Sequence, residues 1–156
     1  MSDVRTGSVH EVDGASEHRA GPRDWLGLVV LAFAVLLIAV DGTVLDLALP
    51  FISSDLAPTS NQLLWIIDVY SFVLAGLLIT MGTLGDRIGR RRLLLIGAAG
   101  FGIASLVAAV SSSAEMLIAA RVLQGISGAT LMPATLGLIR TFFLIPRQRV
   151  AAIGVW

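Results

Sequence analysis

The amino-acid sequence predicts an all-α polytopic membrane protein with four transmembrane helices and the start of a fifth. Three observations carry that prediction. Hydrophobic residues make up 56% of the 156-residue chain and charged residues only 14%, whereas about a quarter of a soluble domain is charged. Four apolar stretches are long enough to cross the hydrocarbon of a bilayer, which takes about 20 helical residues at about 1.5 Å each. Every arginine but Arg121 lies in the N-terminal tail or in alternate links between those stretches, the asymmetry that orients a multi-pass chain.

The tail, 1–24, is rich in Gly, Ser, acids and Arg and poor in large apolar residues, so it is predicted to be disordered. The first helix is predicted over about 25–49, stopped by Pro50. This run is too long for the apolar core of a cleaved signal, and its one small-residue site (AFA, 32–34) lies inside it. It therefore reads as a retained helix. Helices two to four are predicted over about 63–84, 93–110 and 116–139, and 150–156 opens a fifth, all within one partial bundle spanning 25–156. The links SSDLAPTSNQ and SSSAE are loop chemistry. Arg5, Arg19 and Arg23 lie in the tail, Arg87, Arg90, Arg91 and Arg92 in the second link, and Arg140, Arg147 and Arg149 in the fourth, while links 50–62 and 111–115 carry none. That places the N-terminus and the arginine turn in the cytoplasm, with the chain a multi-pass protein of the cell (inner or plasma) membrane. GAAGFG at 97–102, with Gly125, Gly128 and Ala129, forms small-residue stripes that suit close helix packing. Pro133 is expected to bend helix four.

Several functions are excluded or left without support. Eleven basic and eleven acidic residues balance, so no field favours nucleic acid. With no cysteine there is no disulfide or thiolate metal site. His10 and His18 both lie in the tail, away from any buried site. No nucleophile–base pair, metal cluster or cofactor motif is visible, and the glycines of 82–89 follow a helix rather than a strand, so a nucleotide loop is a poor reading. The sequence predicts neither an enzyme nor a cofactor.

Asp41, Asp68 and Arg121 lie inside apolar runs, where a charge costs at least about 2.5–3.5 kcal/mol. All three are predicted in the outer half of the bilayer at overlapping depths. A carboxylate withdrawn from water can hold and release a proton near neutral pH, and it also attracts a cation. Both properties at one group would permit exchange of protons for a cationic substrate. The plainer alternative is a structural ion pair between Arg121 and either acid. Asp46, roughly 140° around the helix from Asp41, reads as a solvated interfacial acid. Trp65 and Tyr70 flank Asp68 and read as an aromatic belt rather than as a wall for an organic cation.

The link between helices two and three, GTLGDRIGRRRLL at 82–94, holds more than topology needs. Gly82 and Gly85 allow close approach, Gly89 permits a left-handed turn, and Asp86 next to the coming helix start can pair with an arginine. This stretch resembles the loop signature of the major facilitator superfamily. VDGTVLDLALP at 40–50, and LIAARVLQGISGATLMPATLGLIR at 117–140 with its Arg-x-x-Gln-Gly core, are similar to motifs of that superfamily's fourteen-helix drug:proton antiporters. WIIDVYSFVLAGLLITMG at 65–82 resembles the subgroup that exports quaternary ammonium compounds and dyes. The resemblance covers about 25–156. It implies an antiporter exchanging inward protons for outward lipophilic organic cations by alternating access. It also implies cation recognition or coupling at Asp41 and Asp68, proton coupling through Arg121 with Gln124 and Gly125, and a conformational latch at Gly82, Gly85, Asp86, Arg87, Gly89 and Arg90. Asp46 departs from the family's usual Asn. Because the family's members are much longer, the resemblance implies an N-terminal portion that does not transport alone, its partners being the lipid bilayer and the missing C-terminal helices. Two rivals remain: a complete four-helix exporter acting as a homo-oligomer, and a non-transporting membrane anchor or assembly fragment. The first leaves the signature loop unexplained; the second predicts that Asp41→Asn has no effect on cation resistance.

Overall fold

The structure is a computed structural model and describes residues 21–156; most of the tail, with Arg5, Arg19, His10 and His18, lies outside the described residues. All regular structure in the described part is helical: α1 (Pro22–Asp55), α2 (Ser60–Ile88), α3 (Arg90–Ala109), α4 (Ala114–Phe142) and α5 (Pro146–Val155). The first four are long and apolar enough to cross a membrane. At about 1.5 Å per residue, the 20 residues of α3 match about 30 Å of hydrocarbon, while α1, with 34, reaches well beyond it.

Local chemistry sets the helix ends. Pro22 takes the first turn of α1, where no N–H partner is needed, and the Gly21 N–H donates to the Asp24 carboxylate at 2.8 Å. Residues 22–24 are therefore helical and not part of the tail. Thr59 and Gln62 form a reciprocal capping box at the start of α2, and Ser113 Oγ accepts from the Met116 N–H at the start of α4. Between α2 and α3 stands a single residue, Gly89, with φ +97°, a backbone an L side chain strains to adopt.

Several boundaries differ from those the sequence predicts: α2 runs to Ile88 rather than 84 and α3 begins at Arg90 rather than 93, so the arginine-bearing link between them narrows to Gly89, with Arg87, Arg90, Arg91 and Arg92 in the helices. Pro50 does not stop α1, which continues to Asp55. A proline removes one hydrogen bond, here to the Asp46 carbonyl, and membrane helices tolerate the loss. Helix α4 likewise runs past 139 to Phe142, and α5 begins at Pro146 rather than 150, so the link between them shrinks to 143–145.

The bundle is organised about α4, with α2 and α3 packed along its length and α1 and α5 touching it over shorter stretches. More than half of the apolar stretch of α4 is buried, against under a third for each other span. Three apolar clusters stack along the bundle. Leu28, Leu31, Ile139, Phe143 and Ala152 lie toward the arginine-rich end, Ile38, Tyr70, Phe101 and Leu131 in the middle, and Ile66, Ala114 and Leu117 toward the far end. The approach of α2 to α4 depends on Gly125, where an added Cβ would sit 2.9 Å from the Tyr70 carbonyl.

Candidate functional site

Between the middle and far clusters the bundle encloses charge. Arg121 of α4 is 3% exposed, and its Nη1 donates to Asp41 Oδ2 of α1 at 2.6 Å. Gln124, one helical turn further along α4, is also buried. Its Nε2 donates to the second Asp41 oxygen at 2.6 Å and to Ser105 Oγ of α3 at 3.1 Å, while its Oε1 accepts from Arg121 Nη1 at 3.2 Å. Arg121 Nε donates to the Ile66 carbonyl of α2 at 3.3 Å, and the guanidinium carbon lies 4.5 Å over the centre of the Tyr70 ring. Four helices thus converge on one carboxylate and one guanidinium. The spacing of Arg121 and Gln124, three residues apart, puts both on the same face of α4. Their neighbour Gly125 lets α2 come close enough to supply Ile66 and Tyr70.

Asp41 is not sealed in. With Arg121, Gln124 and Ser105 it lines a cleft of about 390 Å³ between α1, α3 and α4, walled by Val44, Phe51, Leu117 and other apolar residues and carrying Asp55 nearer the far end. This geometry leaves the carboxylate reachable from the cleft while it pairs with a buried arginine.

Asp68 is placed differently. The carbonyl of Ile66, two residues away, reaches Arg121, yet the Asp68 side chain is exposed on the outer face of α2 and joins no hydrogen bond or ion pair among the described residues. Of the two acids that could pair with Arg121, the structure selects Asp41. Asp46 is exposed as well, but α1 runs nine residues beyond it, so it does not mark a helix end.

At the arginine-rich end, Asp86 and Arg90 face each other across the Gly89 turn, with Arg90 Nη2 3.0 Å and Nε 3.2 Å from Asp86 Oδ1. The Arg90 stem lies on Gly137 of α4, where any Cβ would collide with it. Gly82 sits 3.7 Å from Pro133 Cβ and the buried Gly85 3.0 Å from Leu93, both measured from an added Cβ. These residues line a cavity of about 190 Å³ that also takes in Arg140. Arg87 is exposed beside it.

Residues 31–156 match the family model described as Major Facilitator Superfamily. The chain belongs to the major facilitator superfamily. Among its relatives in this superfamily, it is 56% identical over 141 residues to the multidrug efflux pump LfrA of Mycolicibacterium smegmatis, covering 90% of this chain and 28% of that protein. It is 50% identical over 134 residues to the methyl viologen resistance protein SmvA of Salmonella typhimurium, covering 86% and 27%. To the puromycin resistance protein pur8 of Streptomyces alboniger it is 41% identical over 149 residues, covering 96% and 30%. The chain spans less than a third of the length of these curated relatives.

Within this superfamily bundle three participants were not legible in the sequence, and one was misplaced. Tyr70 is no belt residue: it is buried, with its ring under Arg121. Five positions from Trp65 turn it about 140° around α2, so Trp65 stays half-exposed while Tyr70 faces α4. The Ile66 carbonyl carries no side-chain signal. Ser105 is one hydroxyl in an apolar helix, a pattern that usually satisfies its own backbone. Gly137 looks like any other small residue of α4 until Arg90 is seen lying on it.

Proposed function

We propose that the protein to which this chain belongs exports lipophilic organic cations in exchange for protons, by alternating access between helical bundles. The chain supplies part of one bundle, and further helices beyond those described supply the other. The observation that carries this reading is the one ion pair enclosed among the membrane-spanning helices in the described residues, Asp41–Arg121, whose carboxylate opens onto the apolar-walled cleft. An intramembrane carboxylate that is both paired and reachable can alternate between two occupants, a proton and a cation. Proton uptake at Asp41 ends its ion pair with Arg121. Loss of that proton restores a negative charge able to attract a cation.

The names of the relatives point the same way. One is a multidrug efflux pump and another is named for resistance to methyl viologen, which is an organic dication. Asp68, exposed and unpartnered on an apolar helix, is assigned a second role in attracting cations. Asp86 and Arg90, with Gly82, Gly85, Arg87 and Gly89, form the latch that engages the other bundle. The arginine distribution supports a cytoplasmic N-terminus and residence in the cell membrane. Neither catalysis nor a cofactor is part of the proposal.

The test is growth on a quaternary ammonium compound of cells making the full-length protein or its Asp41→Asn variant, at matched membrane levels. The expected outcome is loss of resistance with Asp41→Asn, together with loss of dye efflux driven by an imposed proton gradient. Wild-type resistance in the variant would sink the reading and favour a non-transporting role.

A further inference from the structure

We propose that Tyr70 is a positioning residue of the coupling site: its ring face carries the Arg121 guanidinium whenever Asp41 is neutral, and so governs how readily Asp41 takes up its proton. This rests on the proton-coupled reading above and gives Tyr70 a role in that site.

The geometry around Arg121 leads to it. The guanidinium is almost fully buried, and Asp41 is its one anionic partner. Its other contacts are neutral: Gln124 Oε1 at 3.2 Å, the Ile66 carbonyl at 3.3 Å and the Tyr70 ring at 4.5 Å. Once Asp41 is protonated it offers Arg121 only a neutral oxygen, and the buried cation has no anionic partner, only neutral ones. An aromatic face attracts a desolvated cation through its negative quadrupole, and it attracts a bare guanidinium more than one a carboxylate has already neutralised. The ring therefore favours the protonated state of the site.

The ring is also held in place. The Tyr70 carbonyl lies against Gly125, and its hydroxyl and ring edge lie against Gly128, so α4 fixes the residue from both ends. The hydroxyl is buried without a hydrogen-bond partner, which leaves the ring face as the part of the side chain that acts on Arg121. The charged and titratable groups in contact with the guanidinium are Asp41 from α1 and Tyr70 from α2. From α4 itself comes neutral Gln124, which in turn donates to Ser105 of α3, and Asp55 of α1 stands further along the cleft. The Asp68 side chain is exposed on another face of α2.

The experiment uses the full-length protein in proteoliposomes, with wild type, Tyr70→Phe and Tyr70→Leu, and reads the pH dependence of proton-driven uptake of a fluorescent organic cation. Tyr70→Leu is expected to move the half-maximal pH about 0.5–1.5 units toward acid, about three- to thirtyfold in proton affinity, while Tyr70→Phe keeps the wild-type midpoint. An unmoved midpoint in Tyr70→Leu, or an equal shift in Tyr70→Phe, overturns the proposal. A second readout does not need transport: Asp41→Asn is expected to lower the melting temperature by about 2 °C or more beyond its usual effect when Tyr70 is Leu, but not when it is Phe. Strict additivity overturns the proposal. Should wild type show no pH dependence at all, the proton-coupled reading fails, and the melting cycle alone decides whether Tyr70 carries Arg121.

Discussion

Arg121 and Asp41 are unequal partners. The arginine side chain is 4% exposed and the aspartate 16%, the latter along the cleft. Breaking a buried ion pair costs about 3–5 kcal/mol when it strands an enclosed charge. Replacing Asp41 strands Arg121 among neutral groups, whereas replacing Arg121 leaves a carboxylate that still receives Gln124 Nε2 and faces the cleft. Asp41→Ala is therefore expected to destabilise the full-length protein more than Arg121→Leu, by on the order of 2 kcal/mol. Chemical denaturation in detergent would measure it, and equal costs would mean that water reaches the guanidinium. At this scale the sequence discloses which residues matter better than which ones meet. Asp41, Arg121 and Gln124 stand out because charge and amide are rare in apolar runs. The choice between Asp41 and Asp68 depends on how α1 and α2 are rotated about their axes, and two acids at similar depth do not reveal that.

At the scale of elements, α4 is the axis on which the others are hung, and its small residues set how near they come. Gly125 stands against backbone, the Tyr70 carbonyl at 2.9 Å from an added Cβ, and backbone cannot rotate away. Gly125→Ala is expected to destabilise by about 1–3 kcal/mol, as overpacking does, and to loosen the Tyr70–Arg121 stack. Gly102→Ala on α3 meets nothing within 4 Å and is expected to be neutral or to stabilise by up to about 1 kcal/mol, through helix propensity alone. Thermal unfolding followed by size-exclusion chromatography separates the two. Gly89→Ala is expected to cost about 1–2 kcal/mol for its positive φ and to weaken the Asp86–Arg90 pair that the turn aligns. The number and order of these helices could be read from apolar run length, whereas the caps Thr59 and Ser113 lie in stretches that read only as loop. The run through Pro50 could not be read either, because a proline ends a helix in water far more reliably than in a bundle where one lost bond is borne by the remaining ladder.

At the scale of the whole molecule, the described surface is what lipid or further apolar helices require. Leu26, Val29, Val30, Phe33 and Leu36 of α1, Phe72 and Ile79 of α2, and Leu95, Ile103 and Leu106 of α3 are all exposed, far more apolar surface than a monomer leaves in water. Apart from Asp46 and Asp68, exposed on α1 and α2, charge among the described residues lies in two places, the enclosed Asp41–Arg121 pair and the helix ends. Arg87, Arg90, Arg91, Arg92, Arg140, Arg147 and Arg149 gather at one end of the bundle, and the opposite links, 56–59 and 110–113, hold no arginine. Moving that cluster across a bilayer is opposed both by desolvation and by the membrane potential, so the end carrying it is expected to face the cytoplasm. The chain contains no cysteine, which makes the test direct. Ser112→Cys and Arg91→Cys, each at an exposed position, are introduced singly and treated with a membrane-impermeant maleimide. Ser112→Cys is expected to label in intact cells, and Arg91→Cys only after permeabilisation. The reverse pattern would put Asp86 and Arg90 outside the cell. It would then be the opposite end of the Asp41 cleft that met the cytoplasm, and protons and cations would have to move in the directions opposite to those proposed.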